Sequence, residues 1–188
     1  MATSKNKHDR LIWIDLEMTG LNYDVDVILE IATIVTDGNL NIIATGPNLI
    51  IHRSDEILQK MNTICTEIHM TSGLYQQIQQ STLTIEQAQE QTLAFLEQHC
   101  TKGASPLCGN TVWFDKLFLK KEMPFIYDFL HYRIVDVTSL KVTLNLWSKH
   151  AVFFKKTNAH RALADIHESI AELQFYKNNF IKLPESTH

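Results

Sequence analysis

Two acidic residues interrupt an apolar run near the amino end of the chain. Asp15 and Glu17 fall within the string LIWIDLE, separated by a single leucine. In a strand, residues at this spacing point to the same face, about 7 Å apart along the chain. Carboxylate oxygens are the ligands that hard divalent cations prefer. The spacing therefore indicates a metal anchor, while the alternative, which the tripeptide alone favours, is an ordinary strand end that emerges into water.

Two further acids and a histidine lie in later segments. Asp115 falls in a predicted helix after the string CGN, and Asp165 falls in the last predicted helix. His160 precedes Asp165 on the loop that enters this helix, from which its ring can lean over acids fixed on rigid elements. Four carboxylates from three segments, together with a histidine, favour the metal site over the solvated strand end.

Hydrophobic periodicity predicts the elements that must position these residues. The run 11–16 is apolar on both faces, which predicts a buried central strand. The run 27–35, the turn signal Asp37-Gly-Asn39, and the runs 40–44 and 48–52 predict an antiparallel meander.

The second half of the chain predicts alternating helices and strands. Thr84 and Gln87 form a capping-box pattern that opens a helix to about His99. Short strands are predicted at 106–110 and 133–137, and helices at 114–121, 138–147 and 162–176. Together these elements predict an α/β fold with one mixed sheet and helices on both faces, in a single domain over 1–188 with loose ends outside about 10–183.

Composition and charge limit the class of protein. With 45% hydrophobic residues and a net charge of −4, the chain predicts one globular domain without the overall basic field that long duplex nucleic acid requires. The three cysteines, Cys65, Cys100 and Cys108, form no C-x-x-C pair, which argues against disulfides and a cysteine zinc site. No run reaches the length of a membrane helix. We expect a soluble cytoplasmic protein with Trp13 and Trp147 in its core, and Lys120 and Lys121 on a solvated face.

The acids and the histidine occur in an order that resembles the DEDDh class of 3′-to-5′ exonucleases: Asp15, Glu17, Asp115, His160 and Asp165. The strings WIDLEMTGL, CGN, HYR and HRALAD resemble the oligoribonuclease family in particular, and the resemblance covers about residues 11–183. It implies an RNase H-like fold. It also implies a homodimeric enzyme that degrades short single-stranded RNA, down to the dinucleotide, to 5′ mononucleotides and so completes RNA turnover.

The resemblance also implies a role for each residue of the set. The four acids would hold two divalent ions, Mg²⁺ or Mn²⁺, and such pairs of ions lie about 3.5 to 4 Å apart in other phosphoryl-transfer enzymes. His160 would accept a proton from the attacking water, which suits a side chain whose ordinary pKa is about 6.5.

Substrate contacts are implied by the same resemblance. Leu21 matches a residue that packs against a base; the alternative is a loop leucine that covers the core. Tyr132 would approach the active site of a partner subunit, although a core aromatic is the alternative. Arg133, for which the alternative is a surface ion pair, would surround the terminal 5′ phosphate together with further residues. These are Thr138, Ser139 and Lys141.

Several positions depart from the family or stay open. Ile64 stands where the family usually has a base-stacking Trp, which predicts a weaker grip on the second base. Thr111, which we also expect to contact the substrate, replaces a frequent Ser, and Ala164 replaces a frequent acid. His69 matches a histidine near the substrate phosphate, while a histidine that caps a helix carbonyl is the alternative.

Two other functions remain open from the sequence. A proofreading-type DNA exonuclease would share all five catalytic residues, and only the HYR segment and a preference for short substrates would distinguish it. A non-catalytic nucleotide-binding dimer would predict at least one missing acid, whereas every position is filled.

Overall fold

The protein is described by a computed structural model, which covers residues 9–156 and 160–182. The elements follow in chain order: β1 (Arg10–Met18), β2 (Ile28–Asp37), β3 (Ile42–Ile50), α1 (Asp55–Leu58), α2 (Thr63–Thr71), α3 (Leu74–Gln80), α4 (Ile85–His99), β4 (Leu107–Gly109), α5 (Trp113–Glu122), α6 (Pro124–Phe129), β5 (Ile134–Asp136), α7 (Val137–Trp147) and α8 (Ala162–Phe180).

The five strands form one mixed sheet in the order β3-β2-β1-β4-β5. The first three strands form an antiparallel meander, whereas β4 runs parallel to β1 and β5 runs parallel to β4. The predicted α/β fold with a mixed sheet and flanking helices is therefore confirmed. The runs predicted at 40–44 and 48–52 form a single strand, β3, with two register irregularities against β2.

Alternation along β1 divides the core into two layers. Ile12, Ile14 and Leu16 pack with the cluster that includes α4, α5 and α6, while Trp13 packs on the other face with α7 and α8. Side chains alternate between the faces of a strand, so Asp15 and Glu17 share the face of Trp13 and point toward α8. The fold thus places the carboxylate pair opposite the helix that carries Asp165.

The structure adds two details to the predicted organisation. Helices α1, α2 and α3 occupy a region for which the periodicity predicted no element. Pro124 follows the end of α5 as predicted, but it is also the first residue of α6. Proline is tolerated there because an N–H group at the first helical position has no acceptor within the helix.

The prediction for the tryptophans is half right. Trp13 is fully buried, but Trp147 is 80% exposed, so the prediction of a core position for Trp147 is wrong. The physical reason is that α7 ends at Trp147, while Val137, Leu140 and Leu144 are its residues that pack against the α8 layer. Among the described residues, no helix is both long and apolar enough to cross a membrane.

Candidate active site

Three carboxylates meet at the carboxyl end of β1. Asp15 and Glu17 of β1 and Asp165 in the first turn of α8 each offer an oxygen, and these oxygens all lie within 4.8 Å of one another. The spacing of the pair in β1 and the packing of α8 over the same face account for this convergence. Asp165 is also held by its own helix, because its Oδ2 accepts a hydrogen bond of 3.1 Å from the amide of Arg161.

Asp115 lies beside this group on a different element. It belongs to the first turn of α5, is buried, and its Oδ1 accepts a hydrogen bond of 3.0 Å from the amide of Leu16. That contact fixes the carboxyl group next to β1, where its charge adds to the effect of burial in raising the pKa values of Asp15 and, to a smaller extent, Glu17. The fourth acid is therefore an electrostatic neighbour of the three, although its oxygens are not among those that meet within 4.8 Å.

The clustered acids resist ionisation. Burial raises the pKa of Glu17 to about 8, with further contributions from Asp165 and Glu30. Burial likewise raises the pKa of Asp115 to about 7, and burial with the charge of Asp115 raises that of Asp15. Like charges in a poorly solvated site cost free energy unless a cation neutralises them. A group of converging oxygen ligands in this state fits a hard divalent cation.

His160 stands at the entrance of α8. It is exposed, and its φ of 51° places a non-glycine residue in the left-handed region. Such a conformation persists only where the surrounding structure enforces it. His160 is close enough to Asp165 and His69 to interact electrostatically with both, so the ring lies near these groups of the site.

An ion pair between Arg161 and Glu30 fixes the residue that follows His160. Arg161 donates through Nη2 to Oε1 of Glu30 at 2.9 Å, and the amide of Ala162 donates to Oε2 at 3.3 Å. Glu30 is fully buried on β2, directly opposite Glu17 in the strand register. The start of α8 is thereby attached to strand β2, next to the central strand β1.

His69 contacts the end of β1 and not a carbonyl of its own helix, α2. Its Nε2 donates to the carbonyl of Met18 at 2.9 Å, which leaves Nδ1 3.9 Å from Oε2 of Glu17. Burial lowers the pKa of His69. The ring is thus oriented beside the carboxylate group, and Nδ1 has no hydrogen-bond partner within the described residues.

The two residues assigned to base contact lie on the surface. Leu21 is 60% exposed on the loop that follows β1, so the alternative of a leucine that covers the core is wrong. Ile64 is 70% exposed on α2. Both side chains are available for contact with a ligand.

A polar network joins the loop before α5 to the start of α7. Oδ1 of Asp136 accepts from the amides of Thr111, Thr138 and Ser139, at 3.1, 2.8 and 3.4 Å. The hydroxyls of Thr111 and Thr138 lie 3.1 Å apart, and Thr138 also donates to Asn110. Three of the residues proposed around the substrate are therefore brought together by one carboxylate.

The remaining predicted substrate residues are Tyr132, Arg133 and Lys141. Tyr132 is 72% exposed, so the alternative of a core aromatic is wrong. Arg133 stacks on it, with the guanidinium 5.1 Å from the ring centroid, and forms no ion pair within the described part of the chain. Lys141 lies 3.3 Å from the buried carboxylate of Glu172, and this pairing was not predicted.

Comparison with known proteins places this constellation in a family. The RNase_T family, described as an exonuclease, matches residues 12–173. Oligoribonuclease from Ruthia magnifica is 51% identical over 179 residues, which cover 95% of this chain and 99% of that protein. Oligoribonuclease from Haemophilus influenzae strain Rd is 53% identical over 174 residues, which cover 92% of this chain and 96% of that protein. The chain belongs to the oligoribonuclease family of exonucleases.

Solved structures support the fold of this oligoribonuclease family member. Escherichia coli exonuclease I in complex with a dT13 oligonucleotide superposes with a TM-score of 0.71 at 15% identity, covering 92% of this chain. The chain spans 41% of that larger protein. Exonuclease I from Methylocaldum szegediense gives a TM-score of 0.66 at 18% identity. The RNase H-like exonuclease fold implied by the sequence is thus confirmed.

Several residues that shape the site of this family member escaped the sequence reasoning. Glu30 is an acid inside the otherwise apolar run of β2, and the same anomaly identified Asp15 in β1. Asp136 was assigned only to a strand, and Lys121 only to a solvated face, although its ammonium group contacts carbonyls of the loop after β1. Glu172 lies in the middle of α8 with no motif around it, so no local pattern distinguishes it.

Proposed function

We propose that this protein, as a single exonuclease domain, hydrolyses short oligoribonucleotides from the 3′ end, dinucleotides above all, and releases 5′ mononucleotides. The role would be the final step of RNA degradation in the cytoplasm. The observation that carries this proposal is the convergence of Asp15, Glu17 and Asp165 in a chain about half identical to oligoribonucleases over nearly its whole length.

Four residues would hold the metal in this proposal: Asp15, Glu17, Asp115 and Asp165. When bound, two ions such as Mg²⁺ or Mn²⁺ supply charge neutralisation at the phosphoryl group and a more acidic water. The residues themselves supply a fixed set of oxygens, since three are anchored on a strand and a helix start and the fourth is held by the Leu16 amide.

His160 would act as the general base. Its exposed ring stands where an attacking water can approach, and a neutral imidazole nitrogen accepts the proton of that water. The Arg161–Glu30 pair holds the backbone immediately after it, which limits the positions that the ring can adopt. His69 would donate from Nδ1 to the substrate phosphate only as the imidazolium, because Nε2–H is engaged by the Met18 carbonyl and Nδ1 of the neutral ring carries no hydrogen.

Substrate selection would involve two groups of residues. Leu21 and Ile64 would pack against the bases, since both expose apolar side chains near the carboxyl end of β1 or on α2. A second group would enclose the terminal 5′ phosphate, where a longer strand would place a bridging phosphodiester: Thr111, Arg133, Thr138, Ser139 and Lys141. A phosphate enclosed by hydrogen-bond donors selects short substrates because a continuing strand has no exit.

A homodimer would complete each active site with Tyr132 of the partner chain. In support of this, Tyr132 is exposed, and α7 and the segment after it expose further apolar side chains: Val142, Leu146, Trp147 and Phe153. Exposed apolar side chains in such number are typical of an interaction surface. Sedimentation equilibrium should give twice the 21.6 kDa mass of one chain, and Tyr132→Ala should lower activity more than it lowers stability.

The decisive experiment compares substrates under defined metal conditions. A 5′-labelled RNA dinucleotide, a longer RNA and a longer DNA of matched sequence are incubated with Mg²⁺, with Mn²⁺ or with EDTA. The dinucleotide should be cleaved fastest and only with metal. Asp115→Ala should be inactive, while Asp128→Ala, at an exposed position of α6, should match the wild type. Faster cleavage of long DNA would contradict the proposal that short RNA is the preferred substrate. Absence of cleavage with both Mg²⁺ and Mn²⁺ would contradict the proposal that the protein is a nuclease.

A further inference from the structure

The loop that carries Leu21 is closed by a single carboxylate. Asp26 accepts a hydrogen bond of 2.8 Å from the hydroxyl of Thr19 and one of 2.7 Å from the amide of Asn22. The ends of the loop are joined as well, because the amide of Thr19 donates to the carbonyl of Val27 and the amide of Val27 donates to the hydroxyl of Thr19. Hydrogen bonds to an ionised acceptor are stronger than neutral ones. Asp26 therefore sets the shape of this loop.

Close packing restricts the loop further. A Cβ atom at Gly20 would lie 2.5 Å from Oδ2 of Asp26, whose position is fixed by its two donors. Only glycine at this position permits the approach. Leu21 is the next residue, and it projects into solvent from a backbone that the carboxylate has already immobilised.

The end of α5 holds the same loop from outside. Nζ of Lys121 donates to the carbonyl of Tyr23 at 2.7 Å and to the carbonyl of Asp26 at 2.9 Å, and it lies 5.6 Å from the centroid of the Tyr23 ring. The adjacent Glu122 accepts from the amide of Ile28 at 3.1 Å. Because Asp115 lies in the first turn of α5, one helix connects a proposed metal ligand to the loop that presents Leu21.

We propose that Asp26 and Lys121 are positioning residues that hold Leu21 in its base-contacting orientation and thereby set the affinity for a short nucleotide substrate. This inference rests on the proposed function and identifies the loop contacts that would determine the affinity of the enzyme for its substrate. A loop that is ordered before binding loses less conformational entropy on binding. Release of the loop should therefore weaken substrate binding and leave the chemical step, which takes place at the carboxylates, almost unchanged.

The test uses Lys121→Met, which keeps an unbranched stem against Tyr23 and removes the donor. Lys120→Met is the matched control, since the ammonium group of Lys120 lies over the Tyr127 ring, away from the loop. We expect KM for the RNA dinucleotide to rise about tenfold in Lys121→Met, with kcat within about twofold of the wild type, because loop ordering contributes to binding alone. Lys120→Met should leave both constants unchanged, and Lys121→Arg should restore most of the affinity.

A second background separates positioning of Leu21 from a general structural effect. In Leu21→Ala protein, Lys121→Met should add little to KM, because the side chain to be positioned is gone. Amide hydrogen exchange at Asn22 and Asp26 should be faster in Lys121→Met and in Asp26→Asn, in the absence of metal and substrate. This readout does not depend on activity.

Each outcome decides between the two proposals. Equal KM values for the wild type and Lys121→Met, or an equal rise in KM with and without Leu21, would overturn the inference while the proposed function stands. Wild-type protein that neither binds nor cleaves the dinucleotide would overturn the proposed function and the inference with it. If Lys121→Met does not fold, Asp26→Asn provides the same comparisons with and without Leu21, because it weakens the other hydrogen bonds that close the loop.

Discussion

At the scale of single residues, Glu172 connects more of the molecule than its position in a helix suggests. Its buried carboxylate accepts from Asn110 and from the hydroxyl of Tyr176, and lies 2.8 Å from Nζ of Lys156 and 3.3 Å from that of Lys141. Burial raises the pKa of Glu172, but the hydrogen bonds from Lys156 and Tyr176 and the two lysine charges outweigh burial, so the pKa lies below its ordinary value of 4.5.

This shift predicts a pH-dependent cost for Glu172→Gln. The folded state binds fewer protons at this carboxyl than the unfolded state, so the contribution to stability is complete above pH 4.5 and is lost as the pH falls through the lowered pKa. We expect the free energy of unfolding at pH 7 to fall by about 2 kcal/mol, because hydrogen bonds to an ionised partner are lost. Urea denaturation at pH 7 and pH 3.5 measures this: the cost should be smaller at pH 3.5, and an equal cost at the two pH values would contradict the role of charge.

The proposed roles of His160 as general base and Asp15 as metal ligand give a second prediction for single residues. His160→Ala should lower kcat by about 100-fold or more, as expected for loss of a general base, and should leave Mn²⁺ affinity nearly unchanged. Asp15→Ala should weaken Mn²⁺ binding itself. Isothermal titration of both variants with Mn²⁺, next to kcat measurements, tests this, and equal metal affinities would refute the separate roles.

Ile64 permits a gain-of-function test. Its side chain is exposed on α2, so a larger ring meets no core packing there. Base stacking on an aromatic ring contributes about 1 to 3 kcal/mol, so Ile64→Trp should lower KM for the dinucleotide by about fivefold or more. Met70→Trp, at another exposed apolar position of the same helix, is the control. Unchanged KM in Ile64→Trp would remove Ile64 from the substrate site.

At the scale of elements, the start of α8 depends on a buried ion pair. Glu30 of β2 accepts from the side chain of Arg161 and from the amide of Ala162, and Arg161 also donates to Gln77 of α3. Removal of one partner from a buried ion pair leaves the other charge uncompensated. The pair therefore determines where α8, and with it Asp165, begins.

Glu30→Gln should accordingly lower the free energy of unfolding by about 3 kcal/mol. The double variant Glu30→Gln with Arg161→Met should recover part of this loss, since no unpaired charge remains at the site. Guanidinium denaturation of the single and double variants gives both values. A double variant as unstable as the sum of the two single variants would show that the residues are not coupled.

Hydrophobic periodicity predicted some of the strands and helices and missed others. The apolar runs of β1 and β2 and the capping box of α4 were predicted because each is long or carries a specific local signal, and Thr84 and Gln87 do form both capping hydrogen bonds. Helices α1, α2 and α3 contain 4, 9 and 7 residues, too few for a clear apolar stripe. The positions of α1 and α3 depend on packing with Leu29 of β2, a contact that is distant in sequence. Long-range pairs such as Glu30 with Arg161 leave no local pattern in the sequence.

At the scale of the whole molecule, the distribution of charge matters more than its sum. The net charge of −4 argues against a general nucleic-acid surface, yet several of the acids are concentrated at one end of β1. The sequence identified these acids by spacing and order. It could not predict that Asp115 would also hold the Leu16 amide, because this contact requires the parallel packing of β1 and β4 that places α5 beside the strand.

A concentration of acids on a folded scaffold predicts stabilisation of the whole molecule by metal. The converging oxygens exist only in the folded state, so a divalent ion binds that state and shifts the unfolding equilibrium, by about 2.7 kcal/mol at a hundred times the dissociation constant. For a domain of this length, the melting temperature should rise by about 5 to 10 °C with Mn²⁺ and return on addition of EDTA. Asp15→Ala should lose most of the rise, whereas Glu56→Ala, which removes an exposed acid paired with Lys60, should keep it. Calorimetric melting of the three proteins measures the effect, and a wild-type melting temperature indifferent to Mg²⁺ and Mn²⁺ would contradict a metal site at these carboxylates.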